Sequence, residues 1–354
     1  MNTPDFHLDA RYHYSLLPEW ERSYYRTVIE RLARFEFILP LPEDIRANAY
    51  DVFEAIRWDF PEFFHVSVGD LCLHTDESGG LCLRVDGGIT YTREEFDALN
   101  AQLDGILRGF DGIDDPFEIE LAAYDYAIRS FEYEHDEGSL SEHEFQEIFT
   151  VAGLLRRGRA VCGAFTRFVQ FILQQRGILA ANIVTPGMAD EGEEAKYHSW
   201  LAVRIDGEFY HLDVTFDEGD EKDPEFFPYA HFNITDDEAD DDHNLRREEY
   251  PGIVCHSTDA NYYYRKGLYF RTDDELVEGV RRFVTANADT DEEKLYFYFR
   301  LPPGTPSEGM LDRILDRVDC AKTVWMAEMA NDDELGRHYF LLYFRKNKPP
   351  AAQD

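Results

Sequence analysis

The chain has 354 residues, 44% of them hydrophobic and 15% aromatic, which is ample for a packed core and excludes a globally disordered protein. It carries 72 acidic residues against 35 basic ones, a net charge of −37. A surface of that sign repels nucleic-acid phosphates and anionic lipid, so neither is an expected partner, and basic polypeptides are the partners that charge favours. The plainer reading is that the charge keeps the protein in solution.

Five cysteines, Cys72, Cys82, Cys162, Cys255 and Cys320, are too few and too scattered for a disulfide scaffold, and no CxxC pair suggests zinc. Cys72 and Cys82 are spaced to face each other across a hairpin turning at residues 77–80. The first fourteen residues, MNTPDFHLDARYHY, have neither a basic nor an apolar region of a signal peptide. No apolar run reaches the ~18 residues of a membrane span. A cytoplasmic protein without metal or cofactor is expected.

In chain order, helical periodicity covers residues 18–36, where Trp20, Tyr24, Val28 and Leu32 recur at spacings of four, and again 42–57. A strand-rich patch follows at 65–91. Thr92 and Glu95 form a capping box for a helix to about residue 108. After a linker at 111–115, a helix opens at Pro116. Beyond Gly267, Thr272 and Glu275 read as a second capping box. Strand patterns then occupy 294–300, 321–329 and 338–345, with a helix at 306–318. The expected division is a mainly helical region at 1–110, a catalytic core at 111–270 and a small α+β domain at 271–354.

Residues 156–177 carry the first chemical signal. Val161, Phe165, Phe168 and Ile172 share a helical face, Gly177 suits the helix end, and Gly158 breaks the chain before it. Cys162 therefore falls in the first turn of a buried helix. Free N–H groups and the helix dipole there favour a thiolate, which is the nucleophilic form. Arg156, Arg157 and Arg159 are expected to add to that stabilisation. The N–H of Cys162 is a candidate oxyanion donor.

The second signal lies in residues 197–218. Two strand-like runs flank Asp206-Gly207, a hairpin dipeptide. A two-residue loop pairs positions summing to 413. His198 and Asp213 then share a face as diagonal neighbours, within reach of each other. A three-residue loop would put them on opposite faces. Leu201, Val203, Ile205, Tyr210, Leu212 and Val214 form the opposite, apolar face. A carboxylate beside an imidazole fixes its tautomer and stabilises imidazolium next to a thiolate. His211, on the same face, is a rival base. It is less favoured because it projects parallel to Asp213 from the same strand.

The segments GRAVCGAF (158–165), YHSW (197–200) and DGEFYHLDVTFD (206–217) resemble, in order and spacing, the three motifs of bacterial transglutaminase-like domains. Weaker matches at 59–64, 131–133, 231–238 and 255–264 extend the resemblance to roughly residues 18–270. It implies an α+β fold with a papain-like core, in which the nucleophile helix packs on an antiparallel sheet. It assigns Cys162 as nucleophile, His198 as general base and acid, and Asp213 as the third member. It also implies a second oxyanion donor upstream, for which Tyr133 and Gln146 are candidates, and with Trp200 and Gly163 these are expected to line the site. The activity implied is thioester formation with a peptide or protein amide, followed by transfer to water or to an amine, with hydrolysis favoured. The alternatives are a non-catalytic peptide-binding module that keeps the fold, and an amidase for small amides.

Other constellations are weaker. The run Asp236–Asp242 lacks the ligand alternation of a calcium loop and reads as a solvated acidic loop. His231, His243 and His256 have no metal-site spacing. The aromatic runs Tyr262–Tyr264 and Tyr296–Phe299 read as strand cores.

Overall fold

The computed structural model describes residues 6–66, 70–75, 79–86, 91–187, 196–217, 228–287, 290, 294–306, 308–318, 326–332 and 339–345. The chain is α+β, with helices and antiparallel sheets mixed throughout. Two compact units divide it. One comprises Met1–Phe216 and Arg246–Val254, the other Asp217–Leu245 and Cys255–Asp354. Among the described residues no helix is long and apolar enough to cross a membrane.

The first unit opens with helices α1 (Tyr12–Leu16) and α2 (Glu19–Ala33), strand β1 (Ile38–Pro40) and helix α3 (Ala49–Asp59). Tyr24, Tyr25, Val28, Ile29 and Leu32 form the buried stripe of α2 against Val52, Phe53 and Ile56 of α3. Trp20, expected on that stripe, sits in the first turn and is exposed. Strands β2 (Asp70–Thr75) and β3 (Leu81–Asp86) join β1 in the order β1-β3-β2. Cys72 pairs with Arg84 and Cys82 with His74, so the two thiols are not directly opposed. The turn between them lies partly outside the described residues. None of the four described cysteines forms a disulfide, and Cys320 lies outside the described residues.

A buried polar knot ties this region together. The Asp59 carboxylate accepts from the His13 and Tyr14 N–H groups at 3.0 and 2.8 Å and from the Tyr25 hydroxyl at 2.8 Å. These bonds cap the start of α1 with a side chain from the end of α3. Arg11, fully buried, lies 4.0 Å over the Phe60 ring, pairs with Glu62 at 2.8 Å and hydrogen-bonds to Gln174.

Helix α4 (Arg93–Leu107) starts at the expected Thr92–Glu95 capping box, and α5 (Pro116–Ser130) at an Asp115 cap. Strand β4 (Glu132–Tyr133), helices α6 (Glu142–Glu147) and α7 (Val151–Arg157) and strand β5 (Arg159–Ala160) lead to α8 (Cys162–Gln175). Gly153 lets α7 press against the preceding turn, since a Cβ there would lie 2.4 Å from the Glu147 carbonyl oxygen. Helix α8 is buried nearly all round, as a central core helix should be. It ends in a Schellman pair, with the Ile178 N–H on the Leu173 carbonyl and the Gly177 N–H on that of Gln174.

Helix α8 packs against strands β6 (Ala180–Pro186) and β7 (Tyr197–Ile205), and β8 (Glu208–Leu212) follows on the far side of β7. The β7/β8 register is Leu201 to Leu212 through Ile205 to Glu208, the pairing of a two-residue loop. Asp206 and Gly207 have φ of 51° and 95°, as a type I′ turn requires. The expected apolar face is buried, but Trp200, Ala202 and His211 on the other face are buried too.

In the second unit, β9 (Phe232–Ile234), α9 (Asp236–Ala239), α10 (Tyr262–Arg265) and α11 (Asp273–Ala286) precede β10 (Lys294–Arg300), α12 (Met310–Leu315), β11 (Met326–Asp332) and β12 (Tyr339–Arg345). The last three strands form an antiparallel sheet ordered β10-β12-β11. Leu276, Val277 and Val280 of α11 pack with Phe297, Phe299 and Leu342 of that sheet. Thr272 caps α11, but the Glu275 carboxylate turns back to the Arg271 N–H at 2.6 Å, so the expected reciprocal box is half-formed. Tyr262–Tyr264 lie in a short helix, not a strand. The acidic run is not all solvated. Asp236 is buried, and Asp242 accepts from His231 at 2.9 Å and from His243 at 2.5 Å.

Replacing Asp59 with alanine strands two buried donors and one partly buried donor, and each costs ~1–3 kcal/mol. We expect Asp59→Ala to lower unfolding stability by at least about 3 kcal/mol, read from urea midpoints. A loss below about 1 kcal/mol would contradict this account of the knot.

Candidate active site

Helix α8 begins at Cys162 itself. Gly158, at φ 72°, ends α7, β5 carries the chain across two residues, and Val161 is the extended residue before the helix. The nucleophile candidate thus occupies the first helical position and retains 8% of its surface. The arginines upstream serve another purpose than the expected one. Arg156 pairs with Glu95 at 2.8 Å and Glu147 at 3.2 Å, Arg157 with Glu134 at 3.3 Å and Glu144 at 2.5 Å, and Arg159 with Glu132 at 2.5 Å. Their charge is spent on five glutamates and holds this turn together.

The hairpin brings His198 and Asp213 into contact through His198 Nε2 and Asp213 Oδ2. Asp213 is 2% exposed, and its other oxygen accepts from the Thr215 N–H and hydroxyl at 2.8 and 2.9 Å and from the Phe216 N–H at 3.2 Å. The carboxylate is therefore fixed before it meets the imidazole. The His198 ring also hydrogen-bonds to Cys162. Burial pushes its pKa down, but the charge and hydrogen bond of Asp213, with Cys162 beside it, outweigh burial and raise it to about 10. These contacts favour the imidazolium form of the ring.

Two aromatic rings clamp that imidazole. Phe216 stacks at 4.5 Å and Trp200 at 5.8 Å. Trp200 is itself buried and donates from Nε1 to His211 Nδ1 at 3.0 Å. The rival base His211 is thus engaged in holding the tryptophan. The Thr166 hydroxyl on α8 donates to the Ser199 carbonyl at 2.9 Å, which ties the nucleophile helix to the histidine strand.

Tyr133 is set by a two-residue parallel ladder. Glu132 pairs with Arg159 and Tyr133 with Ala160, and the Glu132 and Glu134 N–H groups donate to Gly158 and Ala160 at 2.9 Å. Its hydroxyl hydrogen-bonds with Cys162 through both the backbone N–H and the thiol. Burial and the neighbouring Cys162 raise its pKa.

A cavity of about 360 Å³ opens on Cys162 and His198. Phe60, Phe63, Phe145 and Phe149 give it an aromatic wall, and Gln146 and Gly163 also line it. Gln146 makes no hydrogen bond among the described residues, so of the two oxyanion candidates only Tyr133 meets the cysteine. Thr215, Phe216 and Thr166 carried no signal in the sequence beyond their place beside the motifs.

No curated protein matches the chain. Among solved structures, a crystal structure of a transglutaminase (TGase) is 14% identical with a TM-score of 0.30, over 43% of this chain and 46% of that one. A candidate cysteine protease from Cytophaga hutchinsonii is 15% identical with a TM-score of 0.25, over 42% and 62%. The chain thus spans less than two thirds of either structure's length, and scores this low carry no argument about it. The model of the transglutaminase-like superfamily matches residues 105–214. Through that stretch, which holds Cys162, His198 and Asp213, the chain resembles the transglutaminase-like superfamily.

Proposed function

We propose that the protein is a thiol acyl-transfer enzyme acting on a peptide or protein amide, with Cys162 as nucleophile, His198 as general base and acid, and Asp213 as the residue that orients the imidazole. The observation that carries this reading is the convergence on one thiol of the His198–Asp213 pair and the Tyr133 hydroxyl, beside an aromatic cavity.

The reactive form of the pair has the thiol proton on His198, with a thiolate beside imidazolium. Sγ attacks the amide carbonyl carbon and its electron pair moves to oxygen. The Cys162 N–H and the Tyr133 hydroxyl donate to that oxyanion. The C–N bond breaks as His198 gives its proton to the departing amine, and a thioester remains. Water then gives a proton to His198 and attacks the thioester carbonyl, the C–S bond breaks, the acid leaves, and the thiolate–imidazolium pair is restored. An amine in place of water yields a new amide. Water is the favoured acceptor in this proposal, since the His198 side chain keeps 16% exposure, enough for solvent to reach the base. The net charge of −37 favours basic segments of a polypeptide substrate at long range.

Iodoacetamide titration with mapping of the labelled cysteine tests the reading. Cys162 should label ahead of the exposed Cys72 at mildly acidic pH, and His198→Ala should abolish that preference. Labelling governed by exposure alone, or an inert Cys162, favours a binding module. Tyr133→Phe removes one oxyanion donor and should slow acylation by 4-nitrophenyl acetate roughly 100-fold. Alkylation by iodoacetamide, which forms no oxyanion, should change only a few-fold.

The His198 pKa also predicts a pH signature. Because the folded value, about 10, lies above the ordinary 6.5, the stability contributed by this group is fully present below about pH 6.5. It is lost as pH rises through about 10. The stability difference between wild type and His198→Gln should therefore be greatest near pH 6 and shrink toward pH 10 in urea unfolding. A difference independent of pH would show that His198 is not held as imidazolium.

A further inference from the structure

The cavity beside Cys162 differs in charge from the rest of the chain. The protein has 72 acidic residues, yet among the described residues none that lines the cavity is Asp or Glu, whereas Arg57 and Arg167 both line it. Arg57 is paired with Glu54 at 2.5 Å. Arg167 has no carboxylate within ion-pair distance among the described residues. Its Nη1 donates to the Arg57 carbonyl at 3.0 Å, and its guanidinium lies 5.2 Å from the Trp58 ring. Burial, then the adjacent Arg57, lower its pKa to about 10 against the opposing pull of the more distant Glu54.

A second donor lines the same cavity. Asn182 is 2% exposed and lines the cavity. Its Oδ1 accepts from the Ser199 hydroxyl at 2.9 Å, while its Nδ2 has no partner among the described residues. A buried donor without an acceptor costs free energy that a ligand acceptor relieves. A guanidinium and an amide N–H together match the two oxygens of a carboxylate. The phenylalanine wall suits an apolar stem between that carboxylate and the thiol. Since the chain as a whole repels anions, recognition of one here depends on donors at contact range.

We propose that this cavity selects acyl donors whose acyl chain has an apolar or aromatic body and ends in a carboxylate, held by Arg167 and Asn182 while the reacting carbonyl meets Cys162. The proposal rests on the thiol reading above and names the substrate class of that site.

Two probes of equal length test it, the mono-4-nitrophenyl ester of adipic acid and 4-nitrophenyl hexanoate. In each, Sγ displaces 4-nitrophenolate and leaves a thioester, followed by the nitrophenolate burst and by the mass of the Cys162 adduct. The carboxylated ester should acylate at least about tenfold faster, the effect of one charge-assisted hydrogen bond. Arg167→Gln should bring the ratio close to one, and Arg167→Lys should retain part of it. Equal rates in wild type, or a preference that survives Arg167→Gln, would overturn the proposal. Calorimetry on Cys162→Ser provides an arm independent of reaction, and 4-phenylbutanoate should bind at least roughly tenfold tighter than 4-phenylbutanamide. Tight carboxylate binding with no acylation by either ester overturns the thiol reading and leaves the carboxylate site standing. Equal binding and equal acylation do the reverse.

Discussion

The parity of one turn governs the site. Asp206 and Gly207 form a two-residue loop with positive φ at both positions, and this fixes the pairing of β7 with β8. Side chains alternate along a strand, so one more residue in the loop would move Asp213 to the face away from His198. Everything downstream assumes the even count: the contact of His198 with Asp213, the stacking of Phe216 on the imidazole, and the high pKa of that ring. Asp206 is a residue that tolerates a left-handed backbone, and glycine adopts it freely, so the turn is encoded locally.

The second determinant is the start of α8. Gly158 stops one helix and Gly177 stops the next, which leaves Cys162 as the first residue of a helix buried on nearly every side. The short β4/β5 ladder then carries the tyrosine to the cysteine. Only two residues pair on each strand, so the position of Tyr133 depends on the glutamate–arginine bridges around it. Arg157 to Glu134 and Arg159 to Glu132 brace the two sides of that ladder.

These elements explain what was legible beforehand. Glycines, a two-residue turn and apolar periodicity are local signals, and they located Cys162 in its helix and His198 and Asp213 on a common face. The role of the arginines is not legible locally because their partners come from 9 to 61 positions away, as with Glu147 and Glu95 for Arg156. Tyr133 could not be preferred over Gln146 because a two-residue strand has no periodicity to read. Arg167 and Asn182 carry no signal in the sequence, because a polar residue on a helix or a strand is ordinary until its surroundings are known. The half-formed box at Thr272 shows the same limit, since a capping pattern does not say which N–H the glutamate takes.

The Tyr250 hydroxyl has a consequence for how a polypeptide can approach. It accepts from the Val184 N–H at 2.8 Å and donates to the Val184 carbonyl at 3.1 Å. Both backbone groups of that β6 residue, which also lines the cavity, are therefore occupied by a side chain. An exposed sheet edge normally invites an extended peptide to add itself as a further strand. At Val184 both groups are already taken, so the main chain of an extended peptide laid along this edge would gain no ladder hydrogen bond from that residue.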